Sequence, residues 1–261
     1  MAGNHMGNCD MNVKRIFPDK FDLDKGIYRS SMKYAEKYNW RIVYKYSDLI
    51  VSCNRDVIGK IRSLLIEAYD LLESFIGKEP YFGKSLSPIE VKDNYPPIVK
   101  KMCQKAEVFN IGPMATVAGA ICDYIASGLR GQYSRLIIEN GGDVFIKSNR
   151  DVDVGVYVKS KILRDRIYLK IRSKDTPCGL CSSSGIFGHS LSMGRADLVV
   201  VLSGSTISAD GAATSIANRI EKDADIESII ELYEEKKEIK GILIVKGEDI
   251  GIWGKIELAD G

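Results

Sequence analysis

Asp210 stands four residues before Thr214 in the stretch Thr206-Ile-Ser-Ala-Asp-Gly-Ala-Ala-Thr214, with only Gly and Ala between them. On a helix, that spacing puts a carboxylate and a hydroxyl on one face, about one turn apart. The small residues between them let a ligand or another backbone come close. Two such oxygens beside exposed carbonyls suit a hard cation. The same residues also read as a helix start, with Ser208 or Asp210 as N-cap and the alanines set against a sheet.

Three further clusters could do chemistry. In Glu139-Asn-Gly-Gly-Asp-Val144, Asn140, Gly141, Gly142 and Asp143 offer backbone N–H groups to a phosphate or sugar hydroxyl; they also read as a plain hairpin turn. Cys178 and Cys181 form a C-x-x-C pair, spaced for redox exchange, sulfur relay or half a zinc site, or else as two small thiols in a core. A structural zinc wants four ligands, and the chain has no second C-x-x-C to complete one. Ser184 and Gly185 open a Gly/Ser loop leading to His189, the only histidine outside the N-terminal tail. A histidine in such a loop is a candidate for contacting a phosphate or a reacting group. No acid pairs with it by spacing, so no Ser–His–Asp triad is assigned.

The elements that must position these groups come in mixed runs. Two short strands are expected over 40–53 with a turn near Ser47-Asp48, then a long amphipathic helix over 55–76. A short helix follows over 98–107, and Gly112-Pro113 opens a small-residue helix from Met114 to Leu129. Strands at 135–139 and 143–147 flank Asn140-Gly141-Gly142. Further strands are expected at 153–158, 166–172, 197–202, 241–246 and 250–257, with helices at 209–220 and 226–236. This order argues for an α+β fold with largely antiparallel sheets and packed helices, not strict strand–helix alternation. The small-residue helix followed by a hairpin recurs in outline at 209–257, which raises an internal duplication.

The bulk properties are those of an ordinary globular protein. The 261 residues carry a net charge of +2, 45% hydrophobic and 28% charged residues, and no basic stripe of the kind nucleic acid requires. No segment reaches the ~18 apolar residues of a membrane span. Residues 1–12 read as a terminal tail or cloning remnant and 13–261 as one domain. With no secretory leader visible, the six cysteines read as reduced thiols and the expected location is the cytoplasm.

Taken together, Asn140 to Asp143, Ser184-Gly185 leading to His189, and Ser208 to Thr214 resemble, in order and separation, the ApbE superfamily of FAD:protein FMN transferases, formerly linked to thiamine biosynthesis. Gly112 to Ala115 and the Ser183 to Gly194 loop resemble its smaller, largely uncharacterised cytoplasmic branch in archaea and bacteria. The resemblance spans about residues 40–258 and implies an ApbE-like α+β duplication. It also implies Mg²⁺-dependent cleavage of FAD, with the FMN moiety passing to a hydroxyl on an acceptor protein. On that basis Asp210 and Thr214 would hold the metal, and Asn140, Gly141, Gly142, Asp143, Ser184 and Gly185 would bind the flavin nucleotide. His189 would contact the reacting groups. Where the transferases have Ala-Lys-Gly, this chain has Val117-Ala118-Gly119, so the metal half of the motif is better kept than the flavin half. The alternatives are a persulfide-carrying protein of cysteine or homocysteine metabolism that uses Cys178 and Cys181 with a sulfur-donor partner, and a non-catalytic nucleotide-binding protein.

Overall fold

Strand β2 (Tyr38–Tyr44) turns back at Lys45 and Tyr46 into β3 (Ser47–Cys53). The turn falls ahead of the expected Ser47-Asp48 because the buried Ser47 hydroxyl is 3.0 Å from the Tyr69 hydroxyl and belongs to the strand. Helix α1 (Ile58–Lys78) supplies Tyr69 and buries Ile61, Leu64, Leu65, Ala68, Leu72 and Phe75, a stripe at helical spacing. The computed structural model, which shows these elements, describes residues 11–15, 36–157, 166–183, 196–220 and 226–259.

Helix α2 (Pro97–Phe109) starts with proline in its first turn and ends on Asn110 in the left-handed conformation. The expected long helix from Met114 divides into a 3₁₀ turn at Pro113–Thr116 and helix α3 (Val117–Gly128). The hairpin β4 (Leu136–Asn140) and β5 (Asp143–Lys147) follows. Its two-residue loop is Gly141-Gly142, both at positive φ (67° and 110°), a conformation that favours glycine. Asn140 and Asp143 are the pair that closes it.

The chain then leaves the main sheet for β6 (Val152–Tyr157) and β7 (Arg166–Ile171), which form a three-stranded sheet with β12 (Leu258–Ala259). It returns as β8 (Cys178–Ser183) and β9 (Leu198–Ser203), then runs through α4 (Thr206–Arg219), α5 (Ile226–Glu234), β10 (Ile239–Lys246) and β11 (Asp249–Gly254). With β1 (Asn12–Arg15), the large sheet has nine strands in the order β1-β2-β3-β4-β5-β8-β9-β10-β11, every neighbouring pair antiparallel. The α+β class with antiparallel sheets is as the sequence implied. The helix-then-hairpin order also occurs twice, as α3–β4–β5 and as α4 followed, after α5, by β10–β11.

The middle of the large sheet is covered on both sides. Along β9, Val199 and Val201 pack toward α4 and α5, whereas Leu198, Val200 and Leu202 pack toward the small sheet. Strand β10 divides the same way, Ile242 and Ile244 against Leu243 and Val245. A strand buried on both faces needs an unbroken apolar run, which Leu-Val-Val-Val-Leu supplies. Helices α1, α2 and α3 cover β2, β3 and β4 with a separate core that includes Trp40, Leu49, Leu65, Met102 and Ile125. Among the described residues, no single helix is long and apolar enough to cross a membrane.

Candidate functional site

Strand β8 was not expected from the sequence. Cys-Gly-Leu-Cys-Ser-Ser has none of the β-branched or aromatic residues that mark strands. Its composition is explained by what lies on it. A Cβ added to Gly179 would fall 2.3 Å from both N and Cα of Thr206, so only glycine lets the first turn of α4 rest directly on the sheet. Gly119 does the same between helices, because a Cβ there would meet the Thr206 carbonyl oxygen at 2.6 Å. Helix α4 is thereby pressed between β8, β9 and α3, and every residue from Thr206 to Ala217 is buried.

The N-cap of α4 is Ser205, whose side chain accepts from the Ser208 N–H. The helix therefore begins earlier than expected, and Asp210 is a buried carboxylate of its second turn, not the cap. Asp123 of α3 accepts from the backbone N–H groups of Thr206 at 3.1 Å and Ile207 at 3.0 Å, so a carboxylate sits at the positive end of the helix. Asp123 went unnoticed in the sequence. Its one signal is that it is the lone acid in the otherwise apolar Ala118–Ile125 stretch.

From this frame Asp210 meets β5 and β8. Register places Asp143 directly opposite Cys181, and residues so paired share a face of the sheet. Asp143, Cys181 and Asp210 each bring a ligand-type atom within 4.8 Å of the other two, and all three are buried. Asp210 Oδ2 accepts from the Gly119 N–H at 2.9 Å. The Cys181 thiol faces the Asp143 carboxyl within 4.8 Å, and Asp143 Oδ1 has no hydrogen-bond partner among the described residues. Thr214, one turn beyond Asp210 on the same face, is 9% exposed.

The electrostatics follow from burial. Loss of solvation pushes the Asp143 carboxyl up to about 7, with Glu139 and Asp123 adding to the rise and the Cys181 thiol opposing it. Burial raises Asp210 well above the usual carboxylate range; Asp143 and Asp123 push it further, and the Gly119 N–H opposes them. Burial also lifts the Cys181 thiol well above its ordinary value, with the Asp143 and Asp210 charges acting in the same direction. A carboxylate cluster held this way favours either protons or a cation.

The hairpin residues are placed beside this cluster. The Asn140 side chain donates to the Ala118 carbonyl at 3.3 Å, and the Gly142 N–H donates to Glu139 Oε1 at 3.0 Å. Asn140 thus ties the hairpin to α3 at Ala118. The Gly142 N–H is already engaged within the turn. Gly141 is at the tip, with open space around it. Ser184, Gly185 and His189 lie outside the described residues.

The reading of Cys178 and Cys181 as a working thiol pair needs correction. Strand residues three apart point to opposite faces. Cys181 packs with α4, whereas Cys178 packs with Val156, Leu169 and Leu243 between the two sheets. Cys178 is pushed up to about 11, chiefly by burial, with Lys240 opposing. It belongs to the inter-sheet core, and only Cys181 joins the carboxylates.

Among the described residues, a nine-stranded antiparallel sheet carries α3 and α4 packed together over the buried Asp143, with Asp210 on α4 itself, an architecture of the α+β class. The model of the family described as AbpE bacteria matches residues 29–231, and the chain belongs to that family. It is 34% identical over 222 residues to the UPF0280 protein of Methanocaldococcus jannaschii, covering 83% of this chain and 90% of that protein. It is likewise 34% identical over 209 residues to the UPF0280 protein of Methanothrix thermoacetophila, covering 79% and 87%. In fold it is similar to the ApbE protein from Thermotoga maritima, with a TM-score of 0.51, 13% identity, and coverage of 80% of this chain and 93% of that one.

Proposed function

We propose that this chain binds a flavin nucleotide, FAD or FMN, through a divalent cation at Asp143 and Asp210, and acts as a flavin-nucleotide transferase or pyrophosphatase. One observation carries the reading. Two buried carboxylates converge where Asp143 Oδ1 has no partner among the described residues, in a chain of the ApbE-like superfamily. These residues fit a divalent cation, because unscreened carboxylates in a buried site are stable only when protonated or neutralised.

On this reading Asp210 and Asp143 hold the cation, for which the family resemblance offers Mg²⁺ as the first candidate, and the Thr214 hydroxyl adds a ligand or orients a coordinated water. When bound, such a cation neutralises charge on the diphosphate that is cleaved. The chain's own groups supply the rest. The Gly119 N–H fixes Asp210 by holding Oδ2. Asp123 and Ser205 anchor the start of α4 and so set the position of Asp210 relative to the sheet. The segment with Ser184, Gly185 and His189 would supply the nucleotide contacts, and the acceptor of the flavin group would be a hydroxyl on a partner protein.

Calorimetric titration of the full chain with FAD, with and without a divalent cation, tests this. The reading expects cation-dependent binding that weakens on the order of 100-fold in Asp210→Ala, the loss of about 2.7 kcal/mol. It also expects release of AMP from FAD, together with FMN where water is the acceptor. FAD binding that ignores both the cation and Asp210→Ala would refute it.

A further inference from the structure

A cation site made for Mg²⁺ alone leaves Cys181 without a role. Mg²⁺ takes oxygen ligands in near-octahedral geometry and keeps much of its water, so sulfur beside it is a poor donor. Yet Cys181 projects from β8 opposite Asp143, toward Asp210, with its Sγ within 4.8 Å of a carboxylate oxygen from each. A thiol serving only as core filler would be surrounded by carbon, as Cys178 is on the other face. Cys181 instead faces two buried carboxylates. Asp143 is 7% exposed, and its Oδ1 lacks a hydrogen-bond partner among the described residues, which leaves a buried acceptor open to a cation at this point.

Two carboxylates and a thiol are a mixed donor set. Borderline divalent cations accept both donor types, and Zn²⁺ takes thiolate sulfur and carboxylate oxygen alike as ligands. We propose that Cys181 is a third metal ligand with Asp143 and Asp210, and that this donor set makes the site select Zn²⁺, Co²⁺ or Fe²⁺ over Mg²⁺. The thiol proton leaves to solvent as the cation enters, because coordinating sulfur is deprotonated. This inference rests on the cation-site reading above and refines which cation the site takes.

The test uses the full chain stripped with a chelator and titrated separately with Co²⁺, Zn²⁺ and Mg²⁺. Bound Co²⁺ reports a sulfur ligand directly, through a thiolate-to-metal charge-transfer band in the near ultraviolet. The expected results are Zn²⁺ and Co²⁺ affinities at least about 100-fold above that for Mg²⁺, and a charge-transfer band in wild type and in Cys178→Ser. Cys181→Ser and Cys181→Ala should both lose the band and bind Co²⁺ on the order of 100-fold more weakly, with Mg²⁺ affinity unchanged. A band that persists in both Cys181 variants, or equal affinity for Mg²⁺ and Zn²⁺ in wild type, overturns the proposal and leaves the aspartate site standing. If none of the three cations binds, the cation reading fails together with it.

Discussion

Asp143 and Cys181 are register partners on neighbouring antiparallel strands, and Asp210 descends on them from a helix that only glycine at position 179 allows so near the sheet. This relationship puts a thiol, two carboxylates and a close helix contact in one buried space. It also gives each partner a measurable consequence.

Cation binding should stabilise the fold strongly. A ligand at 100 times its dissociation constant adds about 2.7 kcal/mol, which for a chain of this size is roughly 5–10 °C in Tm. Thermal scans with chelator and with Zn²⁺ or Mg²⁺ should show that rise in wild type. The rise should vanish in Asp143→Asn and Asp210→Asn.

Without a cation, stability should fall as pH rises. Asp143 moves from an ordinary value of 3.8 to about 7 on folding, so between these values the native state holds more protons than the unfolded chain. The stability it contributes is present near pH 4 and is lost through about pH 7, at up to about 1.4 kcal/mol per pH unit for one group. Asp210 and Asp123, also raised by burial, act in the same direction. Urea midpoints of chelated protein should therefore be higher at pH 5 than at pH 7.5, and Asp143→Asn should flatten the slope. A midpoint that climbs over this range would contradict the burial of these carboxylates.

Asp123→Ala should destabilise the chain by about 2–4 kcal/mol, since it strips two charge-assisted bonds from the α4 start. Asp123→Asn should lose less, because an amide oxygen still accepts one N–H. Chemical denaturation distinguishes the two, and equal stability of Asp123→Ala and wild type would count against the cap.

Gly179→Ala should prevent folding or cost several kcal/mol, because the new methyl lies 2.3 Å from Thr206 backbone atoms. Gly59→Ala, with nothing within 4 Å of the added carbon, should be neutral or stabilising by up to about 1 kcal/mol in the first turn of α1. Circular dichroism of the pair makes the comparison.

Oxidants should not join Cys178 to Cys181. Three residues of strand separate their Cα atoms by about 10 Å on opposite faces, beyond the ~7 Å that a disulfide spans. Mass spectrometry after treatment with a thiol oxidant should find no such intrachain bond in the folded protein.

Much of the frame was legible in the residues alone. Helical spacing marked α1, Asn-Gly-Gly-Asp marked the β4–β5 hairpin, and a strand expected at 197–202 falls on β9, because each signal is local. Asp210 stood out for the same reason, as an acid among small residues at helical spacing from Thr214. Strand β8 did not, since its small residues answer to a helix pressed on it from more than twenty positions away in sequence. Asp123 was hidden for the same cause: its partners are the N–H groups of Thr206 and Ile207. The sequence thus determined which groups were available and the periods of their elements. Only the tertiary structure decided that Asp143 and Cys181, and not Cys178, join Asp210, because strand register and face are settled by pairing between segments that no local spacing encodes.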